Sequence, residues 1–146
     1  MTALPGRVLA LDVGERRIGV AVSDISRVLA SPYTTLHATP VAVFFKKIQH
    51  IIASEEIVHV VVGLPISLSG HEGPQALRIR QFIDTLAQHV SLPITTCDER
   101  YTSAAAERLM IEAGLRPEQR KARIDEVAAS IILQDWLDTQ RNLMRE

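Results

Sequence analysis

Three carboxylates stand at positions where an acid has to be compensated. Asp12 interrupts the apolar run Val8-Leu9-Ala10-Leu11-Asp12-Val13 near the end of a strand, where an unpaired acid costs stability. Glu99 follows Ile94 to Cys97, at the carboxyl end of a strand, where open α/β sheets gather their ligands. Asp125 has Ala128, Ala129, Ile132 and Trp136 at i+3, i+4, i+7 and i+11, so it lies on the apolar stripe near the start of a helix. Small alanines one turn on let that helix approach a sheet closely and carry Asp125 against it. Taken singly, each acid also has an ordinary reading, as a turn cap, a surface acid or a helix-start acid that answers the macrodipole.

If the three meet, charge decides what they do. Two carboxylates about 4 Å apart at an effective dielectric of about 20 repel by roughly 4 kcal/mol. Protons relieve that repulsion in paired-acid hydrolases, and hard divalent cations relieve it elsewhere. All-oxygen donors with no His or Cys beside them point to Mg²⁺ or Mn²⁺. A two-ion acidic site, with ions about 3.5–4 Å apart, suits phosphodiester hydrolysis, because it holds both the attacking water and the leaving oxygen. Of the 16 basic residues 13 are Arg, whose planar fork grips phosphate bidentately, so phosphate is the matching substrate.

The elements that must position these acids follow from hydrophobic periodicity. Continuous or period-2 apolar runs alternate with period 3.6, the pattern of a mixed α/β domain. Val8 to Val13 reads as a first strand and Ile18 to Ser23 as a second, joined by Gly14-Glu15-Arg16-Arg17, a link short enough for an antiparallel hairpin. Tyr33 to Leu36 reads as a short third strand. Thr39-Pro40 starts a helix, with Thr39 as cap and Pro40 at the first helical position, and Val41, Phe44, Phe45, Ile48, Ile51 and Ile52 follow at helical spacing. Val58 to Gly63 is a buried central strand. After a loop from Ser67 to Gly73, Pro74 opens an amphipathic helix, and Ile94 to Cys97 forms a fifth strand. Thr102 or Ser103 caps a helix that ends at Gly114, a basic link runs from Arg116 to Arg123, and a last helix continues to about Asp138.

Bulk composition bounds the rest. A chain of 146 residues, 47% hydrophobic and 23% charged, fits one globular domain rather than two lobes. The formal charge of -1 shows no bulk basic excess, which taken alone argues weakly against a nucleic-acid or acidic-membrane partner. Cys97 is the lone cysteine, which excludes an internal disulfide and an all-thiolate metal site; it reads as a small core residue. The start MTALPGRV has no apolar signal core, and no run reaches the roughly 18 apolar residues that span a bilayer, so a cytoplasmic protein without a membrane partner is expected.

The runs Leu9-Ala10-Leu11-Asp12-Val13-Gly14 and Arg17-Ile18-Gly19-Val20-Ala21-Val22-Ser23-Asp24 resemble the opening motif of the YqgF/RuvX family, described as Holliday junction resolvases and pre-16S rRNA processing nucleases. Val62-Gly63-Leu64-Pro65 with Gly70 to Ala76 resembles its central strand and loop, Asp98-Glu99-Arg100-Tyr101-Thr102 its Asp-Glu-Arg element, and Ile124-Asp125 through Gln134 its terminal helix. Glu15 stands where small or polar residues are frequent in the family, and Tyr101 where Leu is frequent. The resemblance implies an RNase H-like fold: a five-stranded mixed sheet, its first three strands antiparallel, flanked by helices, in a single domain over residues 1–146 with its core at about 7–138. It implies that Asp12, Glu99 and Asp125 are catalytic acids holding two Mg²⁺ (or Mn²⁺) ions. Asp98 points to the other side if strand alternation continues. The implied activity is a metal-dependent endonuclease in 5′-end maturation of precursor 16S rRNA, with branched DNA as the alternative substrate. Nucleic acid and ribosomal particles are the implied partners, and the protein is a monomer or homodimer.

Supporting residues carry two readings each. Gly14 and Gly63 let backbone approach the scissile phosphate or simply shape turns. Arg17 and Arg100 clamp phosphate or pair with Asp24 or Asp98. Arg116, Arg120, Lys121 and Arg123 form a basic approach to Asp125 or a solvated linker, and Lys121 and Arg123 are taken as substrate-binding. In the Ser67 to Gly73 loop, His71 is a candidate proton donor; His37, His50, His59 and His89 read as structural. Trp136 and Leu137 belong to the core or to a dimer face. Two other functions compete: a nucleic-acid-binding module without turnover, and an actin-like or sugar-kinase ATPase suggested by Asp12-Val13-Gly14 with Gly19. The length opposes the ATPase, since such enzymes clamp nucleotide between two lobes.

Overall fold

In the computed structural model, which describes residues 5–65, 73–99 and 102–144, the elements run β1 (Arg7–Val13), β2 (Arg17–Ser23), β3 (Ala30–His37), α1 (Val41–Ser54), β4 (Ile57–Pro65), α2 (Pro74–His89), β5 (Ile94–Glu99), α3 (Thr102–Glu112) and α4 (Pro117–Met144). The five strands form one sheet in the order β3-β2-β1-β4-β5. β1, β2 and β3 are antiparallel neighbours, while β1–β4 and β4–β5 are parallel. This is the mixed RNase H-like sheet that the family resemblance implies. The hairpin between β1 and β2 is closed by the Gly14 N–H donating to the Arg17 carbonyl at 2.9 Å.

Strand alternation sorts the core into two layers. Leu9, Leu11, Val20, Val60 and Val62 face α1 and α2, where Phe44, Ile48, Ile79 and Leu86 complete one cluster. Val8, Ala10, Ala21 and Val61 face α4, which covers them with Ala129, Ile132, Leu133, Trp136 and Leu137. Burial of each large side chain contributes about 1.5–3 kcal/mol, so α4 is held mainly by this stripe. Trp136 and Leu137, only 8% and 1% exposed, are core residues and not a dimer face.

Three local expectations change. β3 extends over eight residues, although Ser31, Pro32 and Thr34 blur its alternation, and it pairs with β2 from Arg17↔His37 to Ser23↔Ala30 with one register shift between Val20↔Thr34 and Ala21↔Pro32. Thr39 makes no side-chain cap to α1; Pro40 holds the cap position, and its carbonyl accepts the N–H groups of Val43 and Phe44. The basic stretch beyond Arg116 is not a linker but the opening of α4. Pro117 sits in its first turn, the Arg116 N–H donates to the Gln119 side chain at 2.8 Å, and Arg, Lys, Glu and Gln are good helix formers. α3 ends as expected at Gly114, whose φ of +82° is left-handed. Among the described residues no helix is long and apolar enough to cross a membrane.

Candidate active site

Alternation also places the acids. On β1, Asp12 continues the row of Val8 and Ala10 and so faces α4, opposite Gly19 of β2. On β5, Glu99 continues the row of Cys97, which packs on the α4 cluster, and pairs with Pro65. Asp98 is exposed and does not line the cleft that Glu99 enters. α4 crosses the same face over β2. A Cβ on Gly19 would overlap the carbonyl group of Asp125 outright and stand 3.0 Å from the Glu126 nitrogen, so helix backbone lies directly on strand backbone there. The buried alanines Ala128 and Ala129 keep the next turn equally close. Asp125 is thereby carried to the end of the row that holds Asp12.

Asp12, Glu99 and Asp125 line one cleft of about 330 Å³ together with Gly14, Gln75, Thr102 and Ser103. The first turn of α3 borders it, so the positive end of a helix dipole meets the acids. Gly63 lies under Glu99: a Cβ there would stand 3.0 Å from Glu99 Oε2 and 2.7 Å from Ile132 Cδ1. Burial first, then the charges of Glu99 and Asp125 and a hydrogen bond to Glu99, push the Asp12 carboxyl up to about 7. Burial also raises Glu99, opposed by its hydrogen bond with Asp12. Burial beside Glu99 and Asp125 thus favours a proton on the Asp12 carboxyl, where it can be donated to Glu99. Asp125 is balanced differently, with Oδ2 3.0 Å from Arg17 Nε. The raised Asp12 carboxyl and the Arg17 guanidinium thus both ease the repulsion among three clustered acids.

The donor chemistry fits a hard divalent cation, since every candidate ligand atom is a carboxylate oxygen. Among the described residues no three His, Cys, Asp or Glu side chains come close enough together to hold an ion. The reason is visible: Asp12 and Glu99 bond each other while Asp125 is turned onto Arg17.

Arg17 pairs with neither Asp24 nor Asp98. Asp24 instead accepts the N–H groups of Val28 and Leu29 at 2.8 and 2.9 Å and caps the turn after β2. Arg17 borders a second hollow of about 400 Å³ with Gly14, Arg16, His37 and Asp125, so His37 lies beside the cations rather than in the core. Lys121 and Arg123 are exposed on α4 and line neither space; Arg123 stands 3.6 Å from Glu126. Arg120 is tied to Glu107 and the Leu115 carbonyl, both at 2.8 Å, and braces the α3–α4 corner. Burial, helped by Asp135, Asp98 and Glu99, pushes the Cys97 thiol up to about 11, so it is no nucleophile. His71 and Arg100 lie outside the described residues.

Residues 6–139 match the family described as RuvX, Holliday junction resolvase. The chain belongs to the RuvX family. A Roseiflexus protein named "Putative pre-16S rRNA nuclease" is 56% identical over 141 residues, covering 97% of this chain and all of that one. A protein of the same name from Chloroflexus aggregans is 48% identical and spans 92% and 95% of the two chains. Among solved structures, Thermus thermophilus RuvC in complex with a Holliday junction substrate superposes with a TM-score of 0.59 over 93% of this chain and 96% of that one, at 15% identity. The yeast mitochondrial Holliday junction resolvase gives 0.58 over 99% of this chain and 83% of that one, at 14% identity. At such identities the likeness is one of fold.

In this RuvX chain, the sequence reading misses Gly19 as a spacer for α4, and Gln75 and Ser103 as walls of the cleft. Gly19 had a signal, because glycine inside an apolar strand marks a close backbone approach. Gln75 and Ser103 had none, since two exposed polar residues at helix starts look like any others.

Proposed function

We propose that this RuvX protein is a metal-dependent endonuclease that hydrolyses phosphodiester bonds in the 5′-end maturation of precursor 16S rRNA. The convergence of Asp12, Glu99 and Asp125 from β1, β5 and α4 on one cleft carries the reading. The names of the relatives support the RNA substrate, and the family description keeps branched DNA as the second. Ribosomal particles in the cytoplasm are the setting in which such a substrate is met. A polyanion binder without turnover gains nothing from a buried negative cluster, which argues for catalysis.

Asp12, Glu99 and Asp125 are the residues that would hold Mg²⁺ or Mn²⁺. Divalent ions bound there supply Lewis-acid charge and a water of lowered pKa. The chain itself supplies the rest. Asp12 must give up the proton it shares with Glu99, and Asp125 must leave Arg17, before the three carboxylates act as one donor set. Arg16 and Arg17 then receive substrate phosphate, and the first turn of α3 adds positive potential on the opposite wall. Gly14 lies between both spaces. Gly63 lets Glu99 lie close to the sheet.

The deciding assay compares a four-way DNA junction with a 5′-extended precursor rRNA, in Mg²⁺ and in Mn²⁺. Cleavage of the rRNA to 5′-phosphate and 3′-hydroxyl ends is expected, with the Asp125→Asn protein inactive. Unchanged activity of that variant on both substrates would sink the site assignment. Tight RNA binding in chelator with no cleavage under any metal would favour a binding module.

Arg17→Ala tests the exchange of partners. Releasing Asp125 from a half-exposed ion pair of about 0.2–1 kcal/mol should tighten Mn²⁺ binding by up to about fivefold in the absence of nucleic acid. Nucleic-acid affinity should fall, with the salt slope reduced by about one. Calorimetric Mn²⁺ titration and binding measured over a salt series read the two effects separately. If Mn²⁺ affinity does not rise, Arg17 does not compete with the cation.

A further inference from the structure

A larger hollow, about 560 Å³, lies between α1, α2 and the β1–β2 turn. It adjoins the acid cleft at the end of the sheet: Val13, Gly14 and Gln75 line both. Its floor is apolar, made by Ile18, Phe44 and Phe82, and its rim is polar, with Gln75, Gln81 and Thr85. Arg78 Nη1 bonds Glu15 Oε1 at 2.6 Å and fixes one wall. Apolar floors with a few polar groups at the edge take flat ligands that are apolar on their faces and polar around their perimeter. The volume lies within the roughly 300–1,000 Å³ of small-ligand pockets and admits a nucleobase together with part of its sugar.

We propose that this hollow seats one unpaired nucleobase of the strand whose phosphate lies against Asp12, Glu99 and Asp125. The shared wall at Val13 and Gly14 sets which base it is: a nucleotide next to the reacting phosphate. A base stacked and paired in a duplex cannot enter, whereas single strands are read by splayed bases buried against protein side chains. The seat therefore selects an unpaired strand at the cleavage position and prefers a single-stranded precursor end to an intact duplex arm. The inference rests on the nucleic-acid reading above but not on turnover.

A short single-stranded RNA carrying 2-aminopurine at successive positions is titrated with the full-length Asp125→Asn protein in Mg²⁺, where binding proceeds without turnover. One position is expected to change its fluorescence saturably, and an abasic residue at that position should weaken binding about tenfold. Val41, 52% exposed, lies at the mouth of the hollow and outside the acid cleft. Val41→Trp fills the mouth and should bring the intact RNA to the abasic affinity; Gln81→Trp, at an exposed site on α2, should do the same. The proposal is overturned by silence of 2-aminopurine at every position, by equal binding of abasic and intact RNA, or by unaltered affinity in both filled variants. A change of oligomeric state in the filled variants, seen by ultracentrifugation, also overturns it, because a second copy then occupies the hollow. A base response without cleavage under any metal leaves the seat standing and removes the nuclease reading. Normal cleavage with no base response does the reverse.

Discussion

Asp12→Asn is expected to lower cleavage by about a thousandfold or more and, at the same time, to stabilise the protein at alkaline pH. Under the proposed function, the rate loss follows from removing one anionic donor for a divalent ion: several kcal/mol of transition-state stabilisation, at about 1.4 kcal/mol per decade. The stability gain follows from burial. The Asp12 carboxyl titrates at about 7 in the folded chain against 3.8 as a free group. Between those values the native state holds a proton that the unfolded chain has released, so wild-type stability declines as pH rises through that window and stays reduced above it. An amide has no charge to bury and still donates to Glu99. Urea unfolding at pH 8 should therefore favour Asp12→Asn by about 2–4 kcal/mol, and the advantage should vanish near pH 4. For the same reason, metal-supported cleavage by the wild-type protein should rise with pH through about 7 as Asp12 is freed of its proton. A variant equally stable relative to wild type at both pH values would show that Asp12 carries no buried-charge burden.

Among the described glycines, Gly19→Ala should be the most damaging addition of a methyl group. The new Cβ would meet backbone of Asp125 and Glu126, so neither a rotamer change nor a flexible side-chain tip can relieve it. Either α4 lifts from β2 or the strand bends, and both expose the stripe from Ala128 to Ile132. Overpacking usually costs about 1–3 kcal/mol; a clash between two backbones should exceed about 3 kcal/mol and carry Asp125 away from Asp12. The urea midpoint and the cleavage rate should fall together. Gly63→Ala provides the contrast, because its new methyl meets the tip of Ile132 and one oxygen of Glu99. Its loss should be nearer about 1–2 kcal/mol, with the rate affected more than the stability. If Gly19→Ala is as stable as wild type, α4 does not ride on β2.

The strands and helices were legible because their periods are local properties. Alternation in Val8 to Asp12 and in Cys97 to Glu99 even foretells which face each acid takes, and the separation of Asp98 from Glu99 follows from it. Legibility failed where the decisive energy is not local. β3 looks short because Ser31, Pro32 and Thr34 blur its pattern, yet it pairs with β2 along its whole length, with one register shift after Thr34. The residues after Arg116 look like a solvated link because they are charged, and become helix because Pro117 opens a turn that Arg120 locks onto Glu107.

By itself the sequence determined the element types, three acids placed to meet with no His or Cys beside them, and membership of the RuvX family. The fold decided everything that depends on which distant residues touch. Asp125 and Gly19 are separated by most of the chain, and only the packing of α4 backbone on β2 brings the third acid to the other two. The choice of Arg17 as partner for Asp125, the burial that sets Asp12 against Glu99, and the hollow that joins the cleft at Gly14 are likewise tertiary facts. Periodicity reports which face a residue takes, whereas charge balance and cavity shape depend on distances between faces, and those exist only once the chain has folded.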